Sequence, residues 1–243
     1  MTRNECARYL AEHDNFCILT HTRPDGDTIG SASALCLGLR QLGKTAHILE
    51  NRETTKNYAH LHQTLTVSRA LPEHTVICVD VASASLLPDN AQPLLERIAL
   101  RIDHHGTATP FTPAALVDPN ASACGDVIFD VLMLLGVTLD KAIAEALYIA
   151  VSTDTGCFRY SNTTGHTHAV AGRMFKAGCD FVMINRAMFE VKSFSRIAIE
   201  REVLNGTELY FDNRCAVISL TKEMIERTGV LESEPTKRIL YTS

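Results

Sequence analysis

The sequence predicts an α/β fold, an open and mostly parallel sheet flanked by helices. Short apolar runs rich in β-branched residues alternate with longer segments of helical pattern along most of the chain. Polar clusters of carboxylate and imidazole stand where three of those apolar runs stop, and open α/β sheets build their ligand sites at strand carboxyl ends. The length, 243 residues of which 46% are hydrophobic, is enough to bury a sizeable core.

Residues 2–13 read as a polar-faced helix, and FCILTH (16–21) reads as a buried strand. A helix is expected from about Ser31 to Leu42. TAHILE (45–50), TVICVD (75–80) and RIALRID (97–103) are the next strands, and Ala114 to Val117 adds a short one. Helices then dominate, at 122–135, 141–152, 166–177, 181–190 and 192–204. The pattern changes after that. LYF (209–211) and CAVISL (215–220) are expected as strands of another unit, with TKEMIERTG a helix behind them.

The formal net charge is -5. That balance argues against a protein that grips duplex phosphates through basic residues alone. An anionic substrate is still compatible, because bound cations supply positive charge locally. The eight cysteines form no C-x-x-C pair, and several lie in apolar runs, as reduced buried thiols do. MTRNECARYLAEHDN has no apolar leader region, and no apolar run is long enough for a membrane span, so a cytoplasmic protein without membrane association is expected.

The first polar cluster is H-T-R-P-D-G-D (21–27), with His21, Asp25 and Asp27 within seven residues. Pro24 and Gly26 break regular structure, so the loop can turn its side chains inward. The alternative is a turn with Asp27 as a helix N-cap. Asp80 closes the third strand, and Asp103-His104-His105 closes the fourth. Asp154 follows the apolar helix AIAEALYIAV within S-T-D-T-G-C-F-R-Y-S-N-T-T (152–164), where a capped helix terminus is the plain alternative. So many carboxylates and imidazoles suit two divalent cations, and an oxygen-rich set tilts towards Mn²⁺ or Mg²⁺. Two cations can clamp the attacking and leaving oxygens of an in-line phosphoryl displacement.

These four clusters, H-x-x-x-D-x-D, V-D, D-H-H and D-T-G-x-F, resemble in order and spacing the DHH phosphoesterase superfamily. DTGCFRYSNTT and GCDFVMINRAMFEVKS look most similar to its bacterial oligoribonuclease and pAp-phosphatase branch, over about residues 5–230. The resemblance implies that His21, Asp25 and Asp80 hold one cation. Asp27, Asp80, His104 and Asp154 would hold the second, with Asp80 bridging. Asp103 would orient His104. His105 would contact the scissile phosphate or help protonate the leaving group, and Arg159, Asn162 and Thr163 would face substrate. The implied reaction is Mn²⁺-dependent hydrolysis of short single-stranded RNA oligonucleotides, pAp or dinucleotides, by a chain that can form a homodimer. It also implies a DHH catalytic domain over 1–190, a linker helix over 191–206 and a substrate-binding domain from 207. Family members continue that domain with basic residues and a G-G-G-H segment that this sequence lacks. Residues 207–243 are therefore expected to be its truncated beginning, in a fragment or in a reading frame lost near Glu234.

Other readings have weaker support. Gly38 to Thr45 fits G-x-x-x-x-G-K-[ST], but it closes a helix and leads into a strand, the reverse of a P-loop, so Gly43 is expected as a helix C-cap. His60/His62 and His166/His168 are H-x-H pairs, which do not share a helix face. A catalytically impaired nucleotide-binding relic and a pyrophosphatase are the competing functions.

Overall fold

Six apolar runs pair in one sheet: β1 (Phe16–Leu19), β2 (Ala46–Leu49), β3 (Thr66–Val67), β4 (Thr75–Val79), β5 (Ile98–Asp103) and β6 (Ala114–Val117). The structure, a computed structural model, describes residues 1–230. Every pairing is parallel, in the order β3-β2-β1-β4-β5-β6. The order reverses direction between β1 and β4, which is where open parallel sheets leave a crevice.

Side chains alternate across the strands, so β1 sends Phe16 and Ile18 to one face and Cys17 and Leu19 to the other. The first face carries the larger core, shared with α1 (Arg3–Glu12), α2 (Gly26–Gln41), α4 (Cys124–Leu134), α5 (Lys141–Asp154) and α6 (Gly165–Lys176). The second face is covered by the segment around Val81, Leu87, Ala91 and Leu94. A short helix, α3 (Ala59–His62), precedes the edge strand β3, and α7 (Phe181–Asn185) follows α6.

Nearly every residue of α2 from Gly26 to Leu39 is buried. Its composition, GDTIGSASALCLGLRQ, explains this: small residues all round let other elements approach from every side. Gly30 is the closest point. A Cβ there would lie 2.4 Å from the Ala146 carbonyl oxygen and 2.8 Å from the Ala150 nitrogen on α5.

Several boundaries differ from the sequence expectation. β1 ends at Leu19, so His21 lies just beyond the strand. α2 starts at Gly26 instead of Ser31, because the Asp25 carboxylate accepts the Thr28 N–H at 3.3 Å and starts the helix earlier. The cap is therefore Asp25, and Asp27 lies in the first turn. The helix expected over 181–190 is α-helical only to Asn185 and continues as a π-helical turn over Arg186–Glu190. Gly43, at φ 80°, ends α2 as expected. Lys44 is engaged by the Ala11 and His13 carbonyls at 2.7 and 2.6 Å, which leaves the P-loop match without its lysine.

The chain divides into two compact units, Met1–Phe189 and the part from Glu190 onward. In the second, α8 (Phe194–Asn205) packs Ile199 and Val203 on Met224 and Ile225 of α9 (Lys222–Thr228) and on Val230. β7 (Glu208–Tyr210) and β8 (Cys215–Val217) form an antiparallel pair with all residues exposed. The last part of the region expected as 207–243 lies outside the described residues. No helix among the described residues is long and apolar enough to cross a membrane.

Candidate metal centre

Eight polar residues converge at the carboxyl ends of β1, β4 and β5, on either side of the reversal in strand order. Asp80 follows β4 directly and takes a left-handed φ of 58°, which aspartate tolerates better than most residues. That turn lifts its carboxylate out of the sheet line. The Asp80 Oδ2 lies 3.6 Å from His21 Nε2, and its Oδ1 lies 3.6 Å from His104 Nε2. His21 Nε2 is also 3.6 Å from Asp25 Oδ1. His104 Nε2 is 3.5 Å from Asp27 Oδ2 and 3.7 Å from Asp154 Oδ2.

Two ligand atoms about 2.1 Å from one cation stand about 3.0 Å apart at an octahedral edge and about 3.4 Å at a tetrahedral one. The observed separations of 3.5 to 3.7 Å lie close to the tetrahedral edge and about half an ångström or more above the octahedral one, compatible with a shared ion after contraction. His21, Asp25 and Asp80 form one compact set, and Asp27, His104 and Asp154 form another. Asp80 touches both. Its Oδ1 is buried and accepts no hydrogen bond, a costly state for a carboxylate oxygen unless a cation satisfies it.

The surroundings prepare each ligand atom. His21 Nδ1 faces the Thr22 carbonyl at 2.7 Å, and His104 Nδ1 faces the Ala121 carbonyl at 3.3 Å. Each carbonyl accepts a hydrogen bond from Nδ1–H, which leaves the Nε2 lone pair for a cation. Asp27 accepts the backbone N–H groups of Cys124 at 2.7 Å and Gly125 at 2.9 Å, and the Ser31 hydroxyl at 3.0 Å. It thus sits on the positive end of α4, from 97 residues away in the chain. Asn51 and Glu53, at the end of β2, hold the loop of His21. Asn51 donates to the His21 carbonyl at 2.8 Å, and Glu53 accepts the Arg23 N–H at 2.7 Å.

Without a cation the site is electrostatically unfavourable. Burial, then the charges of Asp80, Asp154 and Asp25, push the Asp27 carboxyl well above its ordinary range. Burial raises Asp80 in the same way. Burial and the charges of Asp80 and Asp25 push Asp154 up to about 6, against the partial relief given by His104. Burial works against a charged His21, but Asp25 and Asp80 outweigh it and push the imidazole up to about 10. The donor set fits a divalent cation pair with oxygen and nitrogen ligands.

Asp103, expected to orient His104, accepts that residue's backbone N–H, while the His104 ring nitrogen Nδ1 faces Ala121. The Asp103 Oδ1 accepts His105 Nδ1 at 2.8 Å and the backbone N–H groups of His104 and His105 at 2.8 and 3.2 Å. The physical reason is the tight turn after β5, which folds the second histidine back over the aspartate. His105 is 42% exposed at the side chain. The Asp103 hydrogen bond raises the His105 imidazole. That same hydrogen bond and the His105 charge lower Asp103 despite its burial.

Of the residues expected to face substrate, Arg159 is exposed, with Nε bonded to the Gly156 carbonyl at 2.7 Å. The Asn162 amide points inward to the Ser122 and Asp154 carbonyls at 2.8 and 3.2 Å, and braces the end of α5. The Thr163 hydroxyl is buried without a partner. Asp154 is the last residue of α5, so the helix itself fixes its carboxylate. Asn51, Glu53 and Ser31 were not anticipated. Asn51 could have been, because it is a polar residue directly beyond an apolar strand run.

Fold and site together define an α/β protein with clusters of carboxylates and imidazoles able to hold divalent cations at the switch point of a parallel sheet. Residues 15–151 match the model of the DHH family, N-terminal domain, and the chain belongs to that family. It is 31% identical over 197 residues to the bifunctional oligoribonuclease and PAP phosphatase NrnA of Thermus thermophilus, covering 80% of this chain and 59% of that relative's length. It is 24% identical over 241 residues to the protein of the same description in Bacillus subtilis, covering 98% of this chain and 76% of that one. Among solved structures, an exopolyphosphatase-related protein from Bacteroides fragilis superposes with a TM-score of 0.83 at 22% identity, covering 95% of this chain and 72% of that chain. That last likeness establishes the fold alone.

Proposed function

We propose that this chain is a manganese-dependent, two-cation phosphoesterase. It hydrolyses short RNA oligonucleotides to nucleoside 5′-monophosphates and 3′-phosphoadenosine 5′-phosphate to AMP. The observation that carries this is the single buried carboxylate, Asp80, shared by two ligand sets. The activities for which the Thermus and Bacillus relatives are named support the substrate classes.

In this reading His21, Asp25 and Asp80 hold one cation, and Asp27, Asp80, His104 and Asp154 hold the other. Four carboxylates, two imidazoles and no thiolate favour Mn²⁺, with Mg²⁺ as the near alternative. When bound, the cations neutralise phosphoryl charge and acidify water. The protein's own residues do the rest. His105 has its Nδ1 engaged by Asp103, which favours the protonated ring, so its other nitrogen delivers the proton to the leaving oxygen. Asp103 keeps that ring in one orientation. Arg159, anchored through Nε, offers its outer guanidinium nitrogens to substrate phosphate.

Residues 1–190 form the catalytic domain in this reading. The second unit begins the substrate-binding domain, and the protein works in the cytoplasm, as a homodimer if two copies pair. The test is hydrolysis of pAp, an RNA dinucleotide and pyrophosphate with Mn²⁺, beside Asp80→Ala. Phosphate release from pAp and cleavage of the dinucleotide, both lost in the variant, are expected. Preferred cleavage of pyrophosphate points to a pyrophosphatase instead, and equal activity in variant and parent overturns the centre.

A further inference from the structure

The backbone that follows Asp154 is bent in a way that residues with side chains disfavour. Gly156, Cys157 and Phe158 take φ values of 57°, 59° and 63° in succession. Thr155, fully buried, holds the turn. Its carbonyl accepts the Arg159 and Tyr160 N–H groups at 2.9 and 3.0 Å, and its hydroxyl accepts the Phe158 N–H at 3.0 Å. The Cys157 N–H donates to the Ser152 carbonyl at 2.7 Å.

The turn separates three neighbouring side chains. Phe158 goes inward, its ring 5.8 Å from Tyr148 and 5.4 Å from His168. Arg159 and Tyr160 stay outside, both seated on Gly156. Arg159 bonds the Gly156 carbonyl, and the phenolic end of Tyr160 lies against its Cα, where a Cβ would come within 2.4 to 2.7 Å of three ring carbons. Gly156 therefore has no room for a side chain, whatever its φ. Tyr160 is nonetheless 53% exposed. The result is an aromatic ring with rigid backing, open to solvent, beside a guanidinium and within two turns of a cation ligand.

We propose that Tyr160 is the base-stacking residue of this site. The nucleobase belonging to the phosphate at Asp80 stacks on the exposed ring, while Arg159 meets the phosphate or sugar of the same nucleotide. This rests on the phosphoesterase reading and adds recognition of the base to recognition of the phosphate. The chemistry suits the chain. A net charge of -5 leaves little general attraction for an oligonucleotide, and stacking is independent of charge and tolerant of base identity.

The test is calorimetric titration of the full chain with Mn²⁺ present, using AMP and ribose 5-phosphate as a pair with and without the base. Tyr160→Leu keeps an apolar cover on Gly156 but removes the π face. It is expected to weaken AMP about tenfold and ribose 5-phosphate by less than about twofold, with Tyr160→Phe and Tyr160→Trp retaining AMP affinity. Equal weakening of both ligands would make the ring a mere support of the turn and overturn the proposal. So would a parent protein that binds AMP no better than ribose 5-phosphate. If AMP discrimination depends on Tyr160 but no phosphoester is hydrolysed, stacking stands and the phosphoesterase reading falls.

Discussion

Gly30 sits one turn beyond Asp27 on α2, against Ala150, which sits one turn before Asp154 on α5. The contact between these two helices therefore sets the distance between two carboxylates proposed to share one cation. In Gly30→Ala the new Cβ meets the Ala146 carbonyl oxygen at 2.4 Å, the Ala150 nitrogen at 2.8 Å and its Cβ at 2.9 Å. Two of those atoms are backbone and cannot swing aside. Regaining a separation of about 3.5 Å pushes the helices apart by about 1 Å. Overpacking of this kind costs about 1–3 kcal/mol, and the rigid neighbours place Gly30 at the upper end. The helix propensity gained by alanine returns about 1 kcal/mol. The net loss of about 2 kcal/mol lowers Tm by about 4–8 °C for a unit of this size. Metal ligands tolerate about 0.2 Å, so the 1 Å displacement breaks the set of Asp27, His104 and Asp154 while leaving that of His21, Asp25 and Asp80 nearly intact. Calorimetric titration with Mn²⁺ beside thermal unfolding reads both effects. The expected result is loss of one of two binding events, by at least about tenfold in affinity. Gly172→Ala, where a Cβ meets nothing within 4 Å, is the control and leaves both unchanged or raises Tm. A Gly30→Ala protein with parental Tm and two parental Mn²⁺ sites refutes the idea that helix contact sets ligand spacing.

Removing the charge of Asp80 has opposite effects in the two states of the protein. In Asp80→Asn, melts in chelator shift upward because a buried anion among anions is gone, whereas the stabilisation by Mn²⁺ disappears; a lower chelated Tm contradicts this. The chelated parent loses stability as pH rises. Asp154, raised to about 6, favours its neutral form in the fold and withdraws that contribution between about pH 4 and 6, and His21, raised to about 10, withdraws its own between about pH 6.5 and 10. Tm measured across pH 5 to 9 should fall in chelator and flatten with Mn²⁺. His105→Ala should retain Mn²⁺ affinity within about threefold yet lose about 10²–10⁴ in kcat, because its Nδ1 is committed to Asp103, whereas His104→Ala loses the cation itself. Asn162→Ala strips a donor from the Ser122 and Asp154 carbonyls at a cost of about 1–3 kcal/mol, read as a lower Tm and weaker Mn²⁺ binding.

The residues that converge at the site were legible because a rule about sheets places them. His21, Asp80 and the Asp103-His104-His105 triplet each follow an apolar strand run, and the strand ends are where a parallel sheet opens. The sheet itself was readable from the same runs, apart from the two-residue β3, too short to leave a pattern. The start of α2 was misread because Pro24 and Gly26 look like loop residues, and only the geometry of Asp25 reveals a cap one turn earlier. What remained hidden is whatever depends on contacts between distant segments. That Asp27 caps α4 through Cys124 and Gly125, or that Asn162 braces Asp154, has no signature in periodicity or spacing. Which of the two adjacent histidines offers its ring to Asp103 is likewise left open by spacing, and the structure pairs it with His105.

The ligands also differ in when the ribosome delivers them. His21, Asp25 and Asp80 have all been synthesised once the chain passes residue 80, whereas the set of Asp27, His104 and Asp154 waits for the far end of α5. In the proposed centre the first set is complete with two of the six strands still to be made, but the second only after α5 has been made. If each set takes a cation as proposed, translation orders their loading: the first ion can accompany folding, and the second waits for α5.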